Sequence, residues 1–502
     1  QVAAMAGHPV QLLDKRPGAA ADAIRSIQAQ IKKMAGKGKL SPERAAQASA
    51  NLVAAQQLQD LAHASLVIEA IVENLQAKQG LYAELEGIVG DDCIFGTNTS
   101  SISVTAMGAA LKRPQRLAGL HFFNPAPLMA LVEVVSGLAT APAVAATLFA
   151  TATAWGKTAV HAKSTPGFIV DRVARPYYGE ALRLLTEGAA DCSTVGAGMR
   201  EAGGFRMGPF VLMDMIGHDI NYAVTCSVWN AFYNDPRFLP SLVQKELLDA
   251  GFLGKKSGRG FFDYQEGIAK PAPQTEGQRT VPTDITLCGD SEAARALAER
   301  LACANIPFEH IPSVDGRIAE VNGAVLFVTD GRSATQRAAN TGLANVVLVD
   351  VALDYRTATR LALTSAAQCT EDAASAAIAL LQAAGVQGSR LADVPGLAVM
   401  RTVAMLANEA ADAVYQGVCS ASAADAAMRL GVNYPKGPLA WADAVGLATI
   451  HTVLTHLGSS YGEDWNLGAL TKQSGSEAVT FLQQKLRDHN VKIIGEPRVL
   501  VI

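Results

Sequence analysis

The sequence has no long hydrophobic run, no paired cysteines, no excess of either charge and no glycine-rich phosphate loop, and each absence narrows what the chain can be. No apolar stretch approaches the roughly 20 residues that a membrane-spanning helix needs, and no signal peptide is visible. The seven cysteines (Cys93, Cys192, Cys226, Cys288, Cys303, Cys369 and Cys419) stand singly, with neither a CxxC pair nor a metal-ligand spacing. That pattern argues against a disulfide framework, gives no reason to expect a metal, and points to a reducing, cytoplasmic compartment. A net charge of -4 offers no electrostatic footprint for nucleic acid or an anionic membrane, so small-molecule partners are expected.

What is present is an enzyme-like composition, 49% hydrophobic and 18% charged, on 502 residues, too many for one core. Residues 1–17 read as a helix end, a Gly-His turn and a strand closing on Asp14. In a dinucleotide-binding βαβ unit an acid at this place accepts from the ribose 2′-hydroxyl and disfavours a 2′-phosphate. A strand-end Asp is also an ordinary turn former. The phosphate loop that should come before it is absent from these residues: either it lies upstream of Gln1 or the site is incomplete. Residues 18–60 read as helical, with a basic segment IKKMAGKGKL and a second helix capped at Ser41-Pro42-Glu43. Its lysines suit phosphates as point charges, but on the residues alone a solvated helix turn is the preferred reading.

Residues 65–78, SLVIEAIVENLQAK, read as a strand and a helix start, placing Glu69, Glu73 and Lys78 where parallel sheets hold ligands. IFGTNTSS and LAGLHFFNP follow as further strands, and the alternation predicts a parallel doubly wound sheet. Within Gly96–Val135, His121 follows Ser100 by 21 residues and Glu133 follows His121 by 12. A carboxylate on one imidazole nitrogen fixes the tautomer and raises the basicity of the other, which makes a base for a hydroxyl proton. Taken alone, a histidine in an apolar run is a core residue and Glu133 a strand-end acid.

The expected architecture is α/β plus all-α. A Rossmann-like domain occupies residues 1–165, a helical domain 166–264, and a Pro- and Gly-rich linker 265–283. A second α/β domain with four strands spans 284–390. Its first turn, CGDSEAARAL, has one glycine, so it is not expected to bind a dinucleotide. A second helical domain spans 391–490, and a tail 491–502. The helical domains repeat in one register: Pro166 pairs with Pro395, Arg172 with Arg401, Glu180 with Glu409 and Gly217 with Gly446, each 229 residues apart (395 minus 166, 446 minus 217). Asp171 corresponds to Met400, and the second α/β region shows no counterpart of the His121 cluster. One copy is therefore expected to be catalytic and the other structural.

GTNTSSI, GLHFFNP followed by VEVV, PGFIV-x-R, GPF-x-LMD-x-IG-x-D and GKKSGRGFFDY, in this order, resemble the 3-hydroxyacyl-CoA dehydrogenases of fatty-acid and aromatic-acid breakdown. The resemblance covers residues 1–264, and the second helical copy is similar to long bacterial members, including those of the phenylacetate pathway. It implies NAD as cofactor and a (3S)-3-hydroxyacyl-CoA as substrate. It also implies His121 as base, Glu133 as its orienter, and Ser100 on the reacting oxygen beside the nicotinamide. Asp14, Glu73, Lys78, Asn98, Asn124 and Lys256 would line the NAD site, and lysines of the 32–39 segment, Lys33 and Lys37 among them, would meet CoA phosphates. Where the family has Asn in PGFIVN, this chain has Asp171, which cannot donate as an amide does and which favours the imidazolium of His121. The apolar helical faces suit a homo-oligomer, or burial against the second copy. The rival readings are a dehydrogenase of a non-CoA hydroxy acid and a catalytically silent CoA-binding protein.

Overall fold

A computed structural model describes residues 1–462. In the first third of the chain the strands are β1 (Val10–Leu12), β2 (Leu52–Ala54), β3 (Leu66–Glu69), β4 (Ile94–Thr97), β5 (Leu117–Phe122), β6 (Leu131–Ser136) and β7 (Thr158–Lys163). The helices among them are α1 (Val2–Met5), α2 (Ala19–Gly36), α3 (Pro42–Ala50), α4 (Leu75–Glu86), α5 (Val104–Gly108) and α6 (Pro142–Ala154). A helical stretch follows: α7 (Val170–Val173), α8 (Arg175–Thr186), α9 (Cys192–Glu201), α10 (Pro209–Ile216), α11 (His218–Ala231) and α12 (Leu242–Asp249). Next come β8 (Ile285–Cys288), α13 (Glu292–Cys303), β9 (Glu309–Ile311), β10 (Arg317–Val321), β11 (Ala324–Val328) and α14 (Ala334–Thr341). β12 (Val346–Val349), β13 (Arg360–Ser365), α15 (Glu371–Ala383) and β14 (Gln387–Arg390) complete that region. Four helices close the described chain: α16 (Val399–Tyr415), α17 (Ala421–Gly431), α18 (Pro438–Val445) and α19 (Leu447–Tyr461). The expected tail, and the end of the second helical domain, lie outside the described residues.

The chain forms two units, Gln1–Asp171 with Gly417–Val432, and Arg172–Gln416 with the chain from Asn433. In the first unit β3-β4-β5-β6-β7 form one sheet and β1-β2 another, so β1 and β3 each have one ladder partner among the described residues. Two expectations are corrected here. The sheet is not wholly parallel, because β5 and β6 run antiparallel; the intervening residues 123–130 are too few for a crossover, which takes about a dozen or more. Residues 18–60 are not all helical, because Leu52–Ala54 pairs in parallel with Val10–Leu12. That tertiary pairing overrides an Ala-rich local sequence. The Ser41 cap is present, its side chain accepting from the Arg44 N–H, with Pro42 in the first turn of α3.

In the second unit the sheet order is β14-β13-β12-β11-β10-β8-β9. Four strands were expected, and β10, β13 and β14 are additional. β10 and β11 are joined by Asn322-Gly323, both at positive φ (43° and 82°). An Asn-Gly pair between apolar runs is a strong hairpin signal, and it was legible at this point of the sequence.

The 229-residue register holds in the backbone. Gly167 and Gly396 have φ of 73° and 76°, Phe168 and Leu397 48° and 51°, and Gly217 and Gly446 99° and 100°. It also appears in reciprocal contacts within the second unit. Arg172 Nε donates to Glu409 Oε1 at 2.6 Å, and its register mate Arg401 donates through Nε to Glu180 Oε2 at 2.6 Å. Residue i of one copy meets j of the other and j meets i, which is the signature of an isologous two-fold interface, here formed inside one chain. The swap extends to the sheets. α9 packs on β13, and α17 packs on β6 and β7 within the first unit.

Candidate active site

The register of β5 against β6 sets His121 directly opposite Glu133, both inside their strands rather than at the ends. Such cross-strand neighbours bring their side chains together. His121 Nδ1 lies 2.6 Å from Glu133 Oε2. Glu133 is fully buried, and its other oxygen accepts from the Ile169 and Val170 N–H groups at 3.1 and 3.0 Å, at the start of α7. Glu133 so held accepts a hydrogen bond from the Nδ1–H of His121, which leaves Nε2 as the basic nitrogen. Phe123 and Phe168 pack on the imidazole with ring centroids 4.5 and 5.9 Å away.

Burial by itself lowers the pKa of His121. The hydrogen bond and charge of Glu133, with the charges of Asp171 and Glu73, outweigh it and leave the imidazole above its ordinary value. The stabilisation from this pair is therefore complete below the unfolded histidine pKa and is lost as pH rises through the raised one. Asp171 stands in the first turn of α7. We expect Asp171→Asn to move the acid limb of the kcat/KM profile to lower pH, with turnover kept or increased. An unmoved limb would remove Asp171 from the electrostatics of His121, and a tenfold loss of turnover would give Asp171 a role of its own.

A second polar cluster forms at the carboxyl ends of β3 and β4. Lys78, only 1% exposed, pairs with Glu69 at 2.7 Å and Glu73 at 3.1 Å. Its ammonium thus spends its charge inside the protein. Glu69 also accepts from the Thr97 hydroxyl at 2.8 Å and the Ile71 N–H at 2.7 Å. Glu73 accepts from the Thr99 hydroxyl, from Ser101 Oγ at 3.1 Å, and from the backbone N–H groups of Ser100 and Ser101 at 3.3 Å. Burial raises the Glu73 pKa, but Thr99 and Lys78 outweigh it and hold the carboxyl below its usual range. This network fixes the TSS turn that carries the half-buried Ser100. The sequence reading passed over Thr99 and Ser101 as anchors, although the hydroxyl-rich NTSS run was their signal.

Asn98 Oδ1 accepts from the Phe122 N–H at 2.8 Å, tying β4 to the strand that bears His121 and leaving its amide N–H groups as what it offers a ligand. Asn124 is exposed in the loop after β5. Asp14 follows β1 and pairs with Arg16 at 3.0 Å, whose hydrogen bonds hold its carboxyl down to about 2. Lys33 and Lys37 are exposed at the carboxyl end of α2. Lys256 lies in the second unit, where it pairs with Asp219.

The second copy does have a counterpart of the dyad, and it is altered. Asp350, directly after β12, stands 229 residues after His121, and Ala362, on β13, the same distance after Glu133; the Asp350 N–H donates to the Ala362 carbonyl at 2.9 Å. The carboxylate has moved to the histidine's position. From there it accepts from the N–H groups of Ala398, Val399 and Met400 at 2.7–2.9 Å, the first two being register mates of Ile169 and Val170. The structural half of the dyad survives without a base.

The model of the 3-hydroxyacyl-CoA dehydrogenase NAD-binding domain matches residues 1–165, and that of the C-terminal domain matches 167–264 and 396–478. A reduced Rossmann-fold domain model from 3-hydroxybutyryl-CoA dehydrogenase matches 326–395. The chain is 43% identical over 464 residues to the 3-hydroxyadipyl-CoA dehydrogenase of Escherichia coli K12, covering 92% of this chain and 91% of that one. It is 38% identical over 266 residues to a probable 3-hydroxybutyryl-CoA dehydrogenase of Bacillus subtilis, covering 53% of this chain and 92% of that one. A crystal structure described as 3-hydroxybutyryl-CoA dehydrogenase from Escherichia coli K12 superimposes with a TM-score of 0.85 at 40% identity, covering 97% of this chain and 95% of that one. Sequence motifs, fold and similarity over most of both chains agree, and the chain belongs to the NAD-dependent 3-hydroxyacyl-CoA dehydrogenases.

Proposed function

We propose that this enzyme oxidises the C3 hydroxyl of a (3S)-3-hydroxyacyl-CoA to the 3-oxo ester, with His121 as base and Glu133 as its orienter. The observation that carries this reading is the 2.6 Å contact between His121 Nδ1 and Glu133 Oε2, with Glu133 closed off by two backbone N–H groups. His121 Nε2 takes the hydroxyl proton, and Glu133 compensates the imidazolium that forms. The Ser100 hydroxyl steadies the reacting oxygen. Bound NAD supplies the acceptor for the hydride that leaves C3.

The residues at the carboxyl ends of β1, β3 and β4 suit that cofactor. Asp14 offers a half-exposed carboxylate to ribose hydroxyls. Ile71 and Val72 keep apolar surface exposed beside Glu73, and Asn98 and Asn124 bring amides. Lys78 acts through Glu73. Lys33 and Lys37 serve CoA phosphates as point charges. We place the enzyme in the cytoplasm, in keeping with seven free thiols. Among the described residues no helix is long and apolar enough to cross a membrane. The helical faces that would serve an oligomer are in part paired within the chain by the Arg172 and Arg401 contacts.

For the acyl group we favour a six-carbon dicarboxylic chain, as in the name of the Escherichia coli relative, with 3-hydroxybutyryl-CoA as the second reading. NADH formation should be followed with 3-hydroxyadipyl-CoA, 3-hydroxybutyryl-CoA and free 3-hydroxybutyrate. The expected order of kcat/KM is the dicarboxylic ester first and the free acid negligible. No NADH from either ester would sink the proposal, and turnover of the free acid alone would favour a non-CoA dehydrogenase.

A further inference from the structure

We infer that Gly431, at the carboxyl end of α17 in the second helical copy, is a positioning residue for the His121–Glu133 dyad. This rests on the dyad being the catalytic base. The segment Gly417–Val432 belongs to the same unit as the dyad, and β7 is tied to it by the Lys163 N–H donating to the Val418 carbonyl at 2.9 Å. A Cβ placed on Gly431 would lie 2.8 Å from Leu131 Cδ2, 3.0 Å from Val170 Cγ2 and 3.7 Å from Phe123 Cε1. Each of these neighbours leads to the dyad by its own route. Leu131 is on β6, two residues before Glu133 and on the same face. The N–H of Val170 is one of the two that hold Glu133, and the ring of Phe123 packs on His121. Leu131 and Val170 are buried, and Val170 is β-branched, so neither has room to yield freely.

The backbone does not ask for glycine here, because Gly431 is not among the residues with positive φ. What asks for it is space. Its register mate is Ala202 (431 minus 202 is 229), the residue directly after α9, and α9 packs on β13, in the copy where Asp350 and Ala362 stand in place of the dyad. The chain therefore has glycine where this helix abuts the live pair and alanine where it abuts the altered one. The charged groups acting on His121 are Glu133 from β6, Asp171 from α7 and Glu73 from the turn after β3, while α17 brings Asp425 and Arg429 and β7 brings Lys163.

The test compares Gly431→Ala, Ala202→Gly and the double variant Gly431→Ala/Leu131→Val, which removes the δ-carbon in the way. A displacement of about 1 Å costs on the order of a hundredfold in rate, so Gly431→Ala should lose roughly 10- to 100-fold in kcat with little change in KM for the ester. The acid limb of its pH profile should also fall, because a loosened Glu133 no longer offsets the burial of His121. Ala202→Gly should change neither quantity, and the double variant should recover most of the loss. An unchanged kcat in Gly431→Ala overturns the inference. So does a loss without any movement of the acid limb, or one that Leu131→Val does not relieve, since a merely structural helix contact would behave in those ways. If His121→Gln stays active, the dyad reading itself falls, whatever Gly431 does.

Discussion

Replacing His121 with Gln is expected to lower kcat/KM by about a thousandfold or more, in the upper part of the range that general acid–base catalysis supplies. Gln is the informative substitution because its amide can still donate to Glu133 Oε2, the partner that His121 Nδ1 meets at 2.6 Å. The packing against Phe123 and Phe168 is largely kept, and Glu133, fully buried, is not left unpaired. The nitrogen that takes the proton is lost. NADH formation with the preferred ester measures the effect. Circular dichroism and NAD titration check that the fold and the cofactor site are intact. Activity within tenfold of the parent enzyme would show that another group is the base.

The second large effect is expected in stability. Arg172 is fully buried and donates to Glu409 at 2.6 Å, Asp412 at 2.8 Å and Gln416 at 2.9 Å. Arg237 reaches the same two carboxylates at 3.0 Å each. Arg172→Met keeps much of the aliphatic volume but leaves two buried carboxylates to share one cation. Removing one partner from a buried ionic cluster costs about 3–5 kcal/mol, because the remaining charge has lost both water and its partner. The guanidinium chloride midpoint of the transition that melts the helical region should fall accordingly, and Arg401→Met, at the register mate, should behave alike. An exposed pair such as Arg25 with Asp22 should show no comparable effect on truncation. A loss under about 1 kcal/mol for Arg172→Met would mean that apolar contacts, not the ion pairs of Arg172, hold α7 to α16.

Much of the candidate site was legible because its members lie close in sequence. Ser100, His121 and Glu133 fall within one stretch of alternating strands, and apolar runs with turn residues between them mark β3 to β7. The repeat was legible too, since glycines at positive φ recur at one spacing and glycine is the residue that this conformation favours. Strands with weaker local signals, Leu52–Ala54, Arg360–Ser365 and Gln387–Arg390, were passed over. Their strand character comes from neighbours in the sheet more than from their own composition.

Motif and spacing were thus enough to indicate the family chemistry, the cofactor type and the duplication, because each is written in residues a few positions apart or at a constant interval. Other properties depend on which groups meet in space. The burial of Lys78 between Glu69 and Glu73 is one. The reciprocal pairs across 237 and 221 residues are another. The move of the carboxylate from the Glu133 position to that of His121 in the second copy, and the seating of α17 against the strand that carries Glu133, belong with them. Burial and long-range partners are what turn a charged side chain into a structural pin, a base or its orienter, and neither is a property of local periodicity.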